Sequence, residues 1–399
     1  MKLCDKYSEI VISDKRKLIK VVGDTTYTKI YLILNNGVNI DPKDKLGISH
    51  LCEHIFIESV SSKYTEKVRD SYFQSMGFTN YEHTVLTFSI SSNQGNVECL
   101  IDILSELING HYLKSEYIQK CKMDVIRECN IKQKESEYSL KINKFITDDN
   151  INYLPIGDSY KIIHIGKEDI KAFLPQYYDS FSLVIFHHKD INVEISEKLV
   201  PNKTIFQNSF KTYCCQNTKE KTSKVLNIQS DYQKNLRIYF KQTKSDYTFK
   251  EKVAQCLIEI IINYKICSYL HIKNEQYIPI VFRRKVINDD YSFIVMCMDG
   301  YEKNLKDNFV GYLLDIPISK EDFIQSKDTF ILFLNETIDI DDTYVFNSIF
   351  HYLIYNEAPS ITEEQINQLR RIMKEITLDD IIKLKEEIFT NDYKVVISY

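Results

Sequence analysis

Tryptophan is absent from this 399-residue chain, glycine occurs ten times and proline seven times. That scarcity excludes collagen-like and low-complexity architectures. None of the ten cysteines forms a C-x-x-C pair, and their spacing fits no zinc ribbon. Basic residues are in slight deficit, 51 against 56 acidic for a net charge of −5, which disfavours nucleic acid as a partner. No apolar run reaches the ~18 residues of a membrane span. The longest candidate, Cys256 to Tyr264, is interrupted by Glu259. The opening Met1-Lys2-Leu3-Cys4-Asp5-Lys6 has no apolar core of a secretory signal, so the expectation is a soluble, cytoplasmic protein with free thiols. What is present is ordinary for a globular protein, with 44% apolar and 27% charged residues. At ~100–200 residues per domain, the length fits two domains.

The grammar of the chain repeats. Ile165-Gly166-Lys167-Glu168-Asp169-Ile170 precedes a helical pattern and the apolar run Leu183-Val184-Ile185-Phe186. Ile376-Thr377-Leu378-Asp379-Asp380-Ile381 precedes another helical pattern and Val395-Val396-Ile397. The two align without a gap at an offset of 211 residues. Ile30-Tyr31-Leu32 and Ile238-Tyr239-Phe240 read as corresponding strands, each leading into a helix. The expected organisation is an N-terminal domain over 1–200, a polar linker over 201–224 and a duplicated C-terminal domain over 225–399. Strand patterns fall at Glu9–Ser13, Tyr27–Leu34, Val85–Ser91, Ser182–His187, Asn235–Lys241 and Tyr291–Met298. Helical patterns fall at Leu46–Glu58, Tyr64–Met76, Asn96–Asn109, Ser115–Phe145 and Phe249–Ile272. Strands and helices come in runs, which predicts an α+β fold of two homologous sandwich domains.

His50-Leu51-Cys52-Glu53-His54 carries the chemistry. At ~100° per helical residue, His50, Glu53 and His54 share one arc, and Ile48, Leu51, Cys52 and Ile55 lie opposite. Two imidazoles one turn apart can chelate a single metal ion. A carboxylate between them can reach a water at that ion without being a ligand. This H-x-x-E-H is the inverted form of the zinc-protease helix motif. A third ligand should come from another element, and Glu128 falls on the apolar stripe Ile118, Cys121, Val125 and Cys129 of the helix from Ser115. A carboxylate on that stripe must pair or bind a metal. Arg127 is the alternative partner, although adjacent helical residues point apart. His83 and His187-His188 read as polar strand ends, Cys214-Cys215 as free thiols in the linker, and Cys52 as core.

Gly47-x-x-His50-x-x-Glu53-His54-x-Phe56, followed 74 residues after His54 by the glutamate of Val125-Ile126-Arg127-Glu128, resembles the insulinase, pitrilysin and mitochondrial-processing-peptidase family (M16). Gly77-x-x-Asn80, Glu82-His83-Thr84-Val85, Pro155-x-Gly157, and Ile165-x-x-Glu168-Asp169 with Phe173 and Tyr177-Tyr178 extend the likeness over Tyr27–Phe186. The resemblance implies an α+β half repeated twice with one Zn2+ in the first half. It implies His50, His54 and Glu128 as ligands and Glu53 as general base. Two such chains would close into a chamber around a short or unfolded peptide, so this half-chamber length implies a dimer, with leader-peptide trimming as one activity of that kind.

Three departures from the family pattern stand out. Cys121 occupies the place of a frequent acidic residue two turns before Glu128, with Asp124 a possible substitute. The edge strand after the motif reads as shortened, to Asn80-Tyr81-Glu82-His83-Thr84; Asn80 and Tyr81 are its candidate substrate-binding residues, by backbone pairing. The Arg and Tyr that hold substrate from the family's second half are missing from Ser268–Pro279, where Lys273 and Tyr277 are weak substitutes because Lys lacks the planar fork of Arg. The expected assembly is therefore a heterodimer whose partner supplies the Arg/Tyr pair, with a homodimer using Lys273 and Tyr277 as the alternative. A non-catalytic peptide-binding or scaffold subunit is the rival from another functional class.

Overall fold

The structure is a computed structural model. It describes residues 6–13, 15–23, 25–68, 71–109, 114–148, 150–192, 224–229, 235–242, 247–272, 280–288, 291–299, 306–335, 363–390 and 392–399. The first set of elements is β1 (Lys6–Ser13), β2 (Arg16–Gly23), β3 (Tyr27–Leu34), α1 (Ile48–Lys67), β4 (Phe73–Thr79), β5 (Thr84–Ser91), α2 (Gln94–Ile108), α3 (Ser115–Ile131), α4 (Gln133–Ile146), α5 (Ser159–His164), α6 (Lys167–Tyr177) and β6 (Phe181–His188). The second is β7 (Val225–Ile228), β8 (Asn235–Gln242), α7 (Phe249–Ile272), β9 (Ile280–Asn288), β10 (Tyr291–Asp299), α8 (Lys306–Asp315), α9 (Lys320–Asn335), α10 (Glu363–Glu375), α11 (Leu378–Ile388) and β11 (Tyr393–Ser398).

The two sheets share one topology. The first runs β1-β2-β6-β3-β5-β4 and the second β7-β11-β8-β10-β9. Without the β1 hairpin strand, the orders superimpose strand for strand. In each, the closing strand pairs parallel to the first strand (β6 with β2, β11 with β7), and the remaining pairs are antiparallel. Helices α6 and α11 begin and end at positions that differ by the 211 residues of the sequence repeat. Each starts on an aspartate that accepts the N-cap N–H, Asp169 from Gly166 at 2.7 Å and Asp380 from Thr377 at 2.8 Å. The α+β duplication read from the sequence is therefore present in the fold.

Each sheet buries one face under helices through period-two alternation. In the first, Ile30, Leu32 and Leu34 of β3 and Leu86, Phe88 and Ile90 of β5 meet Leu51, Cys52 and Ile55 of α1. In the second, Leu236, Ile238 and Phe240 of β8 meet Leu257, Ile258, Ile261 and Ile262 of α7. Among the described residues, no helix is long and apolar enough to cross a membrane.

Several local expectations change. The segment expected as a helix over Tyr64–Met76 divides, because α1 continues to Lys67 and Phe73–Thr79 is the edge strand β4. Its exposed Gln74, Met76 and Phe78 alternate with Phe73, Ser75, Gly77 and Thr79, which are less exposed, and seven residues of alternation are easily mistaken for helical spacing. The expected short edge strand Asn80–Thr84 is instead a turn into β5. Asn80 Oδ1 accepts from the N–H groups of Glu82 (2.9 Å) and His83 (2.6 Å). The long helix expected over Ser115–Phe145 breaks into α3 and α4 at Lys132.

The chain divides into two compact units. One comprises Cys4–Leu140 and Asn152–Gln216; the other comprises Met1–Leu3, Lys141–Ile151 and Asn217–Tyr399. This departs from the expected 1–200 and 225–399 division at Lys141–Ile151, which groups with the C-terminal sheet. Two polar contacts tie it there, Lys285 Nζ donating to Asn143 Oδ1 (2.7 Å) and Lys394 Nζ to Asp148 Oδ1 (2.6 Å). Apart from Lys224, the linker expected over 201–224 lies outside the described residues, and Cys214-Cys215 with it.

The start of α1 is fixed by one buried carboxyl. Asp41 accepts from the Gly47 N–H (2.6 Å), the Ser49 N–H (3.2 Å) and the Ser49 hydroxyl. Gly47 is left-handed at φ 99°, a conformation suited to glycine. Burial pushes the Asp41 carboxyl up to about 7 against the pull of these donors. Asp41→Ala would strip buried donors of their acceptor at the helix entry. The expected loss is about 2 kcal/mol of folding stability, read as a lower denaturation midpoint, with a smaller loss for Asp41→Asn.

Candidate active site

Helix α1 buries more than its apolar back. His50 is 7% and Glu53 3% exposed; the edge strand β4 lies against Glu53, while His50 faces α3 and the Ile156 carbonyl. The approach depends on a glycine. A Cβ at Gly77 would stand 2.7 Å from Glu53 Oε1 and 2.8 Å from Ile57 Cδ1. Two residues on, the Thr79 hydroxyl donates to Glu53 Oε2 at 2.6 Å. One strand thus covers the Glu53 carboxyl and hydrogen-bonds it.

The two imidazoles converge on α3. His50 Nε2 lies 3.5 Å and His54 Nε2 3.6 Å from the same oxygen, Glu128 Oε2. Both separations exceed an ordinary N–H···O hydrogen bond. They are close to the ~3.3 Å edge of a tetrahedron with metal–ligand bonds of ~2.0–2.1 Å. The His50 ring is oriented from behind, as its Nδ1 lies 3.0 Å from the carbonyl oxygen of Ile156. A carbonyl only accepts, so the proton is on Nδ1 and the Nε2 lone pair faces Glu128. The Ile156 carbonyl is placed by the turn at Gly157, itself left-handed at φ 88°, where a Cβ would stand 2.5 Å from the Gly47 Cα. The Pro155-x-Gly157 motif therefore acts through the back of His50.

Electrostatics separate the groups into different protonation states. Burial holds His50 and His54 below the ordinary imidazole range, which keeps them neutral near pH 7. Burial pushes Glu53 up to about 7, and the neighbouring Glu128 adds to the rise. Burial would also raise Glu128, but it is held below the usual carboxylate range, chiefly by the hydrogen bond from Lys132. Lys132 Nζ donates to Glu128 Oε1 at 2.6 Å, leaving Oε2 for the imidazoles. Neutral imidazoles and an ionised carboxylate are the donor states a divalent metal requires. Among the described residues, His50, Glu53 and His54 form the group of ligand-capable atoms within 4.8 Å of one another. Of the two carboxyls at the site, Glu128 suits coordination better, because its Oε2 faces both imidazoles, whereas Glu53 is engaged by Thr79. The donor set fits zinc.

The other sequence candidates are placed as follows. Arg127, the alternative partner of Glu128, reaches Asp124 at 3.5 Å instead. The Asp124 charge is felt at His54, after burial and Glu128. Cys121 is buried, and its thiol is pushed up to about 12, so it is a neutral core residue rather than an acid. Cys52 is likewise core. Tyr81 is buried with its hydroxyl donating to the Tyr153 carbonyl (3.1 Å), and the Asn80 side chain closes the turn before β5. Both side chains are thus engaged within the fold. Lys273 and Tyr277 lie outside the described residues. His187 and His188 sit at the end of β6, with the Nδ1 of His187 against the His188 carbonyl (2.9 Å). Sequence reasoning missed Thr79 and Lys132 and gave Gly77 no role. Only Lys132 left a signal, four residues after Glu128 on a helix.

Residues 23–157 match the family model for insulinase (Peptidase family M16), a span that contains His50, Glu53, His54, Gly77 and Glu128. That segment is similar to the M16 family. A probable zinc protease, PqqL of Haemophilus influenzae, is 26% identical over 177 residues. That alignment covers 39% of this chain but only 18% of the relative's length. The first half of the periplasmic protease PqqL from Escherichia coli has the same fold, with a TM-score of 0.78 over 100% of this chain and 92% of that one at 15% identity. Against the structure of the whole E. coli protease, this chain spans 48% of the length. An M16 peptidase domain of Pseudomonas fluorescens described as inactive also shares the fold, with a TM-score of 0.68 at 12% identity over 98% of this chain and 97% of that domain.

The Gly77 contact gives a direct check. In Gly77→Ala the atoms nearest the new methyl belong to Glu53 and Ile57, so the Glu53 carboxyl must shift. On the zinc-peptidase reading proposed for this site, the expected result is unchanged zinc content with at least a tenfold loss of peptide hydrolysis, part of the ~10²-fold or more that removing a general base costs.

Proposed function

We propose that this chain is a zinc-dependent endopeptidase subunit that cleaves short or unfolded peptides in a chamber completed by a second M16-type half. The observation that carries the reading is the convergence of His50 Nε2, His54 Nε2 and Glu128 Oε2 beside a separately poised Glu53. His50, His54 and Glu128 would hold one zinc ion per chain. Bound there, zinc would supply Lewis acidity towards water and the scissile carbonyl. Glu53 takes a proton from the attacking water and returns it to the leaving amine. A base near pKa 7 suits both transfers at neutral pH. Thr79 holds the Glu53 carboxyl towards the site, and β4, the edge strand of this sheet among the described residues, lies where an extended substrate could add by strand pairing.

The length relation supports pairing, since the chain spans 48% of the whole E. coli protease. A heterodimer in which the partner supplies an Arg/Tyr pair is the preferred assembly, because Lys273 and Tyr277 replace that pair in this chain. The rival is a non-catalytic scaffold subunit, favoured by the inactive domain among the fold relatives. The decisive experiment combines metal content and turnover. Wild type and Glu53→Gln should each carry one zinc per chain, and His50→Ala should lose it. With its partner half, wild type should hydrolyse peptides, and Glu53→Gln should be slower by a factor of about 10² or more. A well-folded wild type that takes up no zinc would leave the scaffold reading. Full activity of the chain alone, abolished in the Lys273/Tyr277 double variant, would replace the heterodimer with a homodimer.

A further inference from the structure

We propose that Lys132 is a positioning residue for the metal site, its ammonium holding one oxygen of Glu128 so that the other is presented to His50 and His54. The inference rests on the zinc reading above and adds a residue that the H-x-x-E-H…E pattern does not contain. The two oxygens of Glu128 have separate duties. Oε1 accepts from Lys132 Nζ at 2.6 Å, and Oε2 lies 3.5 and 3.6 Å from the two imidazole nitrogens. Lys132 is tied to Glu128 a second time through the backbone, its N–H donating to the Glu128 carbonyl at 2.9 Å. It stands between α3 and α4, where the chain leaves the helical path with φ −91° and ψ 11°.

The neighbourhood explains why this support is needed. Two turns before Glu128, the buried Cys121 offers a neutral thiol that cannot orient a ligand by charge. His50 is oriented by the Ile156 carbonyl, and Glu128, on a half-exposed stretch of helix, would otherwise sample several rotamers. A charge-assisted hydrogen bond to one oxygen removes most of that freedom. The pair is an exposed i,i+4 contact, so it contributes little to folding, and its effect should appear at the metal. The opposite role is also physically available. The ammonium feels Glu53 as well as Glu128, and a resident cation there would compete with zinc.

The test uses the intact chain, stripped of metal and titrated with zinc alone against a chromophoric chelator. Lys132→Met keeps the length of the side chain and removes the bond, and should weaken zinc binding by about 10–100-fold, the usual cost of losing an outer partner of a ligand. Its metal-free thermal midpoint should stay at the wild-type value. Lys132→Arg should restore affinity to within about threefold. Lys120→Met, which removes an equal charge from α3 that pairs with Glu58 of α1, should bind as wild type does. Zinc binding by Lys132→Met that equals or exceeds that of wild type would overturn the proposal, the latter by showing competition. A wild type that binds no zinc would overturn the metal reading itself, a separate result from a zinc-binding wild type whose Lys132→Met variant is unaffected.

Discussion

Two imidazole nitrogens face one carboxylate oxygen where α1 passes α3, and much of the N-terminal sheet unit serves to hold them there. Neither helix makes the arrangement alone. The entry of α1 is set by Asp41 and the left-handed Gly47, and its second turn is backed by Leu51, Cys52 and Ile55 in the sheet core. The ring of His50 is turned by a backbone carbonyl at the Gly157 turn, which packs against Gly47 itself. The same glycine contact that starts the helix therefore also orients its first histidine.

The second feature is the contrast between two carboxyls. Glu53 feels the charge of Glu128, and burial drives Glu53 upward while Lys132 holds Glu128 below the usual carboxylate range. Two like groups pushed apart in this way can divide the labour of a site, one as base and one as ligand. The division depends on β4. A side chain at position 77 would force the Glu53 carboxyl or Ile57 to shift, and without Thr79 the carboxyl would lose its hydrogen-bond donor. The outer strand is thus a wall of the site and, among the described residues, the last strand of its sheet.

Much of this was legible in the sequence, and the residues show why. The H-x-x-E-H spacing is a statement about helix geometry, so three residues sufficed to place an arc of ligands. The 211-residue repeat survived because the acidic start of α6 and that of α11 are cap signals with a local cause. What escaped notice was non-local. Phe73–Thr79 alternates for only seven residues, and its meaning comes from the helix it covers rather than from its own pattern. Lys141–Ile151 groups with the C-terminal sheet through Lys285 and Lys394, which lie more than a hundred residues away in the chain. Asn80 and Tyr81 read as substrate contacts, but a polar side chain in a turn is as easily satisfied by its own backbone, as Asn80 is.

The central claim is that His50, His54 and Glu128 form one metal site. Zinc K-edge X-ray absorption on the zinc-loaded chain tests it most directly. The account predicts a light-atom first shell at about 2.0–2.1 Å with the multiple-scattering signature of two imidazoles, and one of the two lost in His54→Ala. A sulfur shell at about 2.3 Å would contradict it, since the metal would then be bound by cysteine and the convergence on Glu128 would have another purpose.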